Sequence, residues 1–417
     1  MSNISEVSKT VEKAVYEQVY KYFLQNNLFN ENHHGFLRNH STATALQHII
    51  DLWVKSLDCG KLSAALFLDL SAGFDVVNIG LLVKKLAIYK FHEETLKWFE
   101  SYLNGRKQCV MIESSFSKYI DVPWGVPQGS ILGPLLFIIF IMELPAVVKQ
   151  NDEDIDNINE VHDEYNEILH EELNIMNEND DTPEIIIYAD DNTPTTSDCD
   201  PVNLESKIQN DGNKVIDWFD KNDMVTSADK TKLLVIGTKR NRMNKLESQN
   251  MKLKVTINEE DKSETESEKL LGVIINNCLT WKNHLFGNDE ELGLLKNLSK
   301  RIGILSKLRK YLPDKKFKQI VEGVFTSKLI YCITVWGFSI TKEELRKLQV
   351  LQNKCMRLIS HSSYDTSRTE LLTKCNQMSV KQLIIYHTAC QTFRIYSAKY
   401  PIYHYQKLSF CLFNHLS

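Results

Sequence analysis

Three aspartates stand where buried strands of this 417-residue chain are predicted to end. Asp190 and Asp191 follow three isoleucines, and residues 193–196 resume β-type side chains, so the pattern predicts a hairpin with carboxylates at its tip. Asp69 lies near the end of a second short apolar run, 64–70. Two carboxylates about 4 Å apart repel by ~4 kcal/mol at an effective dielectric of 20. A fold tolerates this repulsion when a cation is bound or when one group stays protonated.

The ligand chemistry of these aspartates indicates a hard divalent cation. Three carboxylates without histidine or cysteine suit Mg²⁺ or Mn²⁺ rather than zinc. A pair of such ions ~3.5–4 Å apart serves in-line displacement at phosphorus. The simpler alternative is an ordinary Asp-Asp turn with no metal.

The surrounding pattern predicts a mixed α and β region followed by helices. Predicted helices cover 10–58 (interrupted at Gly35 and at Ser41–Thr42), 81–89, 131–142 and 204–222, and predicted strands cover 64–70, 185–188, 232–236 and 270–275. Residues 121–130 are predicted to be a turn-rich loop, and 240–268 an exposed, charge-rich connection. Later helices are predicted over 292–308, 315–330, 342–360 and 378–397. The pattern predicts two domains, 1–285 and 286–417.

Charge is segregated along the chain. The formal net charge is -5, but residues 151–184 contain fourteen Asp or Glu and no Lys or Arg, so we predict a mobile acidic insertion over 150–184. From residue 286 onward, 21 Lys or Arg stand against 9 Asp or Glu. This basic third fits a nucleic-acid contact surface, although solvated helix faces would give the same count.

Composition predicts an intracellular protein, in the nucleus or the cytoplasm, with no membrane partner. Nine cysteines occur without a C-x-x-C pair, which is typical of reduced thiols and offers no zinc site. The first twenty residues lack the apolar core of a secretory signal. The longest apolar run, 135–142, is far shorter than the ~20 residues that span a membrane.

Three segments resemble the palm motifs of reverse transcriptases of non-LTR retrotransposons, close to the jockey-like and CR1-like lineages. They are Phe-Leu-Asp-Leu-Ser-Ala-Gly-Phe-Asp at 67–75, Gly-Val-Pro-Gln-Gly-Ser-Ile-Leu-Gly-Pro at 125–134 and Tyr-Ala-Asp-Asp at 188–191. Shorter segments resemble a fingers motif (35–38), the fourth palm motif (229–231) and the primer grip (271–273). The resemblance implies an α+β right-hand polymerase: partial fingers, an antiparallel, ferredoxin-like palm in 1–285, and an α-helical thumb in 286–417.

The resemblance also implies a role for each matching residue. Asp69, Asp190 and Asp191 would hold two Mg²⁺ or Mn²⁺ ions, and Lys230 would protonate or attract the leaving pyrophosphate, unless it is a plain surface lysine. Phe74 would exclude a ribose 2′-hydroxyl, unless it is a simple core aromatic. The residues implied to contact the deoxynucleoside triphosphate are Leu70, Phe74, Gln128, Gly129, Ser130 and Arg38, and those of the primer grip are Leu271, Gly272 and Val273.

The implied reaction extends a DNA primer on an RNA template. Three positions depart from the family pattern: Ala72-Gly73 stands where Lys-Ala is usual, Leu37 stands inside Gly-Phe-Arg, and Glu143 replaces Asn-Asp after the buried helix. The first residues match the middle of a fingers motif, so the resemblance implies an N-terminally truncated element. The alternative function is an inactive remnant that only binds nucleic acid.

Overall fold

The computed structural model describes residues 5–70, 72–149 and 182–416. Nearly all of the predicted acidic insertion, 150–181, lies outside the described residues. The chain divides into two compact units, Met1–Ser41 with Asp51–Glu264, and Thr42–Ile50 with Thr265–Ser417. We call these the first and second units. The assignment of domain roles to 1–285 and 286–417 stays a prediction.

The first unit contains helices and a six-stranded sheet. Its helices are α1 (Glu6–Gln25), the later part of α2 (Thr42–Asp58), α3 (Ile79–Ile88), α4 (Glu93–Leu103), α5 (Gly133–Ile141), α6 (Leu144–Lys149), α7 (Pro201–Lys221) and α8 (Lys239–Lys245). Its strands are β1 (Leu62–Asp69), β2 (Lys107–Gln108), β3 (Met111–Ile112), β4 (Ser115–Phe116), β5 (Ile120–Asp121), β6 (Glu184–Tyr188), β7 (Asp191–Asp198), β8 (Lys232–Ile236), β9 (Lys254–Ile257) and β10 (Glu260–Thr265). The predicted mixture of helix and strand is therefore confirmed.

The sheet places β1 in its interior. The strand order is β6-β7-β1-β8-β10-β9, and β1 pairs antiparallel with both β7 and β8. A central strand is buried on both faces, which is why β1 is apolar along most of its length. Helix α5 is apolar all round and is buried on every side, as the sequence predicts.

The prediction of an exposed connection over 240–268 is wrong. This range contains most of α8 and the antiparallel pair β9 and β10, and β10 joins the main sheet. Val255 and Ile257 are buried while Lys254 and Thr256 alternate with them on the exposed side. Strands at or near the edge of a sheet often keep one polar face. The polar residues of that face made the alternation of buried and exposed residues in β9 hard to recognise in the sequence.

The prediction of a single strand over 270–275 is also wrong, because these residues belong to a hairpin. Strands β11 (Ser267–Leu270) and β12 (Val273–Asn276) pair antiparallel around a two-residue turn. Leu271 and Gly272 both have positive φ, 46° and 79°. A two-residue hairpin loop favours this backbone, and an apolar leucine conceals the turn from a hydrophobic pattern.

The second unit is helical apart from that hairpin. Its remaining helices are α9 (Lys282–Phe286), α10 (Leu294–Leu308), α11 (Asp314–Val321), α12 (Ser327–Ile330), α13 (Ile333–Trp336), α14 (Lys342–Ser360), α15 (Arg368–Cys375), α16 (Val380–Ala398) and α17 (Ile402–Leu416). A π-helical turn, Glu322–Thr326, joins α11 to α12. The late helices are confirmed, and within the described ranges no helix is both long and apolar enough to cross a membrane.

Candidate active site

Asp69 and Asp191 lie opposite each other in the sheet. In the register of β1 against β7, Asp69 pairs with Asp191 and Leu68 with Asn192. Residues directly opposite in antiparallel strands have Cα atoms ~4.5–5.5 Å apart. Two carboxylates more than a hundred positions apart in sequence therefore meet at one end of the sheet.

Asp190 occupies the turn between β6 and β7. The predicted hairpin is present, and its turn begins at Ala189, whose φ is 59°. The amide side chain of Asn192 donates to the backbone oxygen of Asp190, 2.9 Å away. This bond helps to fix the turn that carries both aspartates.

Lys230 contacts the first aspartate directly. The backbone N–H of Ser227 donates to the backbone oxygen of Asp69 (3.1 Å), and a short 3₁₀ turn then brings Lys230 Nζ to 2.6 Å from Asp69 Oδ2. Hydrogen bonding and charge from Asp69, with a smaller contribution from Asp190, raise the pKa of Lys230. The side chain is 65% exposed, yet it is paired with a predicted catalytic residue.

The aspartates form a centre of excess negative charge. Burial, then the charges of Asp190 and Asp69, raise the pKa of Asp191 to about 6. Carboxylate oxygens are the ligands that Mg²⁺ and Mn²⁺ prefer, and a divalent cation would relieve this repulsion. Across the described ranges, no three His, Cys, Asp or Glu side chains are already gathered to hold one ion. The residues fit a hard cation chemically, and their role as metal ligands stays a prediction.

The loop at 125–130 is attached to the segment that follows Asp69. Its first two backbone N–H groups, from Gly125 and Val126, donate to the oxygens of Val77 and Phe74, both at 2.8 Å. Gly125 has φ 78°, and a Cβ there would lie 2.7 Å from the backbone of Asp75. Only glycine permits this approach, so two of the segments singled out in the sequence form one surface.

The predicted nucleotide-contacting residues of this loop have different environments. Gln128 Nε2 donates to both carboxylate oxygens of Asp75, each 2.9 Å away, in an exposed position. Gly129 has φ 86°. Ser130 is buried, and its hydroxyl accepts the backbone N–H of Gly133 (2.7 Å) at the start of α5. Their contact with a nucleotide stays a prediction.

Phe74 is half-buried between two other rings. It stacks on Phe137 with centroids 4.4 Å apart, and it meets Phe36 edge-on at 5.7 Å. Leu70, in contrast, has a buried side chain, and its backbone bridges to Thr226. These contacts restrict the orientation of the Phe74 ring, and its role as a steric filter for the sugar stays a prediction.

The side chain of Arg38 contacts residues of α1. Its Nη2 lies 2.6 Å from Glu17 Oε1, and its guanidinium group lies over the rings of Tyr20 (4.7 Å) and Tyr16 (5.5 Å). A phosphate would have to compete with Glu17 for this cation. The predicted contact of Arg38 with substrate remains a prediction.

Sequence reasoning missed two residues that support the 125–130 loop. Glu12 on α1 is 3% exposed and accepts the backbone N–H of Ile131 (2.7 Å) and the hydroxyl of Tyr102 (3.0 Å). Arg106 donates to the backbone oxygens of Trp124 (2.8 Å) and Gly125 (2.5 Å). Both act largely through backbone atoms, which leave no mark in a sequence pattern.

The predicted primer grip lies in the second unit, at the turn between β11 and β12. Tyr331 Oη donates to the backbone oxygen of Leu271, 2.8 Å away, and its ring lies against Gly272, where a Cβ would meet it at 3.2 Å. Val273 is buried. Tyr331 therefore shapes this turn, and the turn's role in primer binding stays a prediction.

Comparison with known proteins agrees with the resemblance. A family described as reverse transcriptase (RNA-dependent DNA polymerase) matches residues 1–275. The chain is 24% identical over 381 residues to the probable RNA-directed DNA polymerase from transposon X-element of Drosophila melanogaster, covering 89% of this chain and 36% of that protein. It is 27% identical over 327 residues to the RNA-directed DNA polymerase from mobile element jockey of Drosophila funebris, covering 78% and 31%. The chain thus spans about a third of these relatives.

Among solved structures, the chain is similar to apo telomerase from Candida tropicalis. The sequence identity is 12% and the TM-score 0.42, with 93% of this chain and 60% of that chain covered. The predicted resemblance to retrotransposon reverse transcriptases is confirmed by the family match and the transposon relatives.

Proposed function

The chain belongs to the reverse transcriptase (RNA-dependent DNA polymerase) family, and from this premise we propose that it is an RNA-directed DNA polymerase. It would transfer a nucleotidyl group from a deoxynucleoside triphosphate to the 3′-hydroxyl of a DNA primer on an RNA template. The observation that carries the proposal is the pairing of Asp69 with Asp191 across β1 and β7, with Lys230 bound to Asp69. Each of these residues comes from a different segment that resembles the family.

The proposed cofactor is a pair of Mg²⁺ or Mn²⁺ ions held by Asp69, Asp190 and Asp191. When bound, such ions lower the pKa of an attacking hydroxyl and neutralise charge on a leaving pyrophosphate. The repulsion of Asp191 by Asp190 and Asp69 supports this proposal, because a positive ion bound among them would favour the ionised carboxylates. Lys230 keeps a proton beside Asp69, which suits it to donate that proton to pyrophosphate or to attract it.

The finer right-hand architecture is also a proposal. We assign the antiparallel strands β6, β7, β1 and β8 to the palm, and α1 with the residues up to Ser41 to partial fingers. The helices of the second unit would form the thumb. Their excess of Lys and Arg supports contact with the phosphates of an RNA–DNA hybrid, recognised by shape and charge rather than by sequence.

Substrate selection would depend on the loop that follows Asp69 and on the 125–130 loop. Phe74 is held by two rings, which supports a rigid steric barrier to a 2′-hydroxyl. Gln128, tied to Asp75, and the side-chain-free backbone at Gly129 support close contact with the incoming nucleotide. We propose an intracellular site of action, in the nucleus or the cytoplasm, where RNA templates and deoxynucleotides occur.

Primer extension on poly(rA)·oligo(dT) with Mg²⁺ tests this function. The wild type should extend the primer, and Asp190→Ala or Asp69→Asn should lower the rate by at least about a thousandfold if the proposed ions are lost. Asp58→Asn is the matched control, because Asp58 is an exposed carboxylate just before the opposite end of β1 and should leave the rate unchanged.

The possible outcomes separate the site from the activity. Extension that survives Asp190→Ala contradicts the assigned site. A folded wild type that binds the hybrid without extending it supports instead the alternative of an inactive nucleic-acid-binding remnant.

A further inference from the structure

A short segment ahead of α2 runs along the strand that leads into the aspartate hairpin. The backbone N–H of His34 donates to the oxygen of Ile187 (2.8 Å), and the N–H of Ile187 donates to the oxygen of Asn32 (2.9 Å). His33 and Ile187 form a parallel bridge. Strand β6, at the edge of the six-stranded sheet, therefore gains a backbone partner on its outer side.

Side chains fix this segment at two further points. Asn32 Nδ2 donates to Glu184 Oε2 (2.7 Å) at the start of β6. His33 is 1% exposed and hydrogen-bonds to the backbone of Ile141 at the end of α5. Burial lowers the pKa of His33 to about 3, so the ring is neutral at physiological pH. The segment is thus part of the core and not a free loop.

Gly35 brings the backbone of this segment against the turn of the hairpin. A Cβ at Gly35 would lie 2.4 Å from the backbone nitrogen of Ala189, and 3.2 Å from its Cα and from the carbonyl carbon of Tyr188. All three atoms belong to the backbone, so no flexible side chain can move aside. Any residue with a Cβ must displace the turn that carries Asp190.

We propose that Gly35 is a positioning residue of the active site. Because it has no side chain, Gly35 lets the backbone of Ala189 approach closely. This approach fixes the position of the turn at which Asp191 meets Asp69. This inference rests on the proposed function, and it assigns to Gly35 a role exerted through the backbone and not through any contact with substrate. Relieving the overlap needs a shift approaching ~1 Å, and a misplacement of that size can cost a reaction ~100-fold.

The test compares Gly35→Ala with two control variants. At saturating Mg²⁺ we expect kcat for primer extension to fall by ~100-fold, with the KM for the deoxynucleotide changed by less than about threefold, since the nearest atoms that a Cβ at Gly35 would meet belong to the backbone of Tyr188 and Ala189. Mn²⁺ affinity, measured by electron paramagnetic resonance of the free ion, should weaken by at least about tenfold. Gly303→Ala, in an open position inside α10, controls for the effect of a Gly→Ala substitution on melting temperature and amide exchange, and not for activity, because α10 belongs to the proposed thumb. Leu204→Ala, which removes a buried side chain from α7, controls for lost stability.

Each outcome decides the matter. A fall in kcat and Mn²⁺ affinity beyond that of Leu204→Ala at equal melting temperature supports positioning, whereas unchanged values, or losses that merely track melting temperature, overturn it. If Gly35→Ala does not fold, Asn32→Ala takes its place: it keeps the backbone pairs and removes the bond to Glu184, so it should show the same pattern more weakly.

Failure of the proposed function would be visible separately. If the wild type extends no primer, the amide exchange rate of Ile187 still tests the inference, because its N–H is bonded to Asn32. Gly35→Ala should accelerate that exchange by at least about tenfold relative to Gly303→Ala. Equal protection in both variants overturns the positioning role whatever the activity.

Discussion

Replacing Glu143 by leucine should destabilise the first unit by about 3–5 kcal/mol, because it leaves a buried ammonium group without its counter-charge. Lys85 on α3 is 8% exposed, and its Nζ lies 2.6 Å from Glu143 Oε1 and 2.8 Å from the backbone oxygen of Phe140. The Nζ also lies 4.6 Å from the ring centroids of Phe140 and Trp218. The indole N–H of Trp218 donates to the same Glu143 oxygen, 3.0 Å away. The carboxylate of Glu143 therefore bonds to side chains from two helices, α3 and α7.

Replacing Lys85 instead of Glu143 should destabilise the first unit less. Lys85→Met removes the charge but keeps the apolar stem, and Glu143 retains the Trp218 donor and some solvent, so we expect a loss of about 1–2 kcal/mol. The double variant Lys85→Met/Glu143→Leu replaces the pair by packed apolar groups, which is often close to neutral. Since it also leaves the indole N–H of Trp218 without its acceptor, we expect a loss of about 2–4 kcal/mol, which is about 2–3 kcal/mol less than the sum of the two single losses.

Urea denaturation followed by tryptophan fluorescence measures all three variants. Burial lowers the pKa of Lys85, so between that value and 10.5 the unfolded chain binds more protons and stability rises with pH. Lys85→Met should lack this rise when compared with the wild type over the same interval. A coupling energy under about 0.5 kcal/mol, or equal losses from the two single variants, would refute the reasoning.

Three further predictions concern the site and its support. Asp191→Asn should stabilise the metal-free protein at pH 7 by about 1–2 kcal/mol after allowance for partial exposure, while abolishing extension. Because the pKa of Asp191 is raised from 3.8 to about 6, stability of the wild type should fall as pH rises through that interval, and urea titrations of the variant should lack this fall. Lys230→Met should lower kcat by ~10–100-fold with little change in KM, and a rate within threefold of wild type in steady-state assays would contradict its role. Glu12→Leu should cost about 1–3 kcal/mol in urea, since it removes the acceptor of two half-buried donors, whereas Glu12→Gln should cost less; equal losses would argue against those bonds.

The sequence predicts the site's strands well because their signal is local. Strand β1 and the β6–β7 hairpin are short apolar runs that end in carboxylates, and α5 is apolar on every side. The register that sets Asp69 opposite Asp191 is not local, since it joins strands far apart in the chain. The carboxylates at the ends of apolar runs suggested a shared cation site, and the motif resemblance implied that all three belong to it.

The supports of the site were not predictable for a different reason. Arg106 bonds to backbone C=O groups, and Glu12 bonds to the backbone N–H of Ile131 as well as to the hydroxyl of Tyr102. Every residue carries such backbone groups, so side-chain types do not reveal these partners. Strand β9 was missed because its polar residues alternate with buried apolar ones over only four positions, and β10 because all six of its residues are polar. Gly35 is visible in the sequence as a glycine, but the atom that excludes a side chain there belongs to a distant turn.

The departure at Ala72-Gly73 bears on how the site balances its charge. The family's usual lysine at this place is absent; Ala72 is exposed, and a Cβ at Gly73 would already meet Phe137 at 3.3 Å. The three carboxylates then face the ammonium group of Lys230, which contacts Asp69. Under the proposed function, a triphosphate would bring further negative charge, so its approach would be repelled until cations neutralised the carboxylates. Deoxynucleotide affinity in this protein should accordingly depend on divalent cations more steeply than in relatives that keep the lysine.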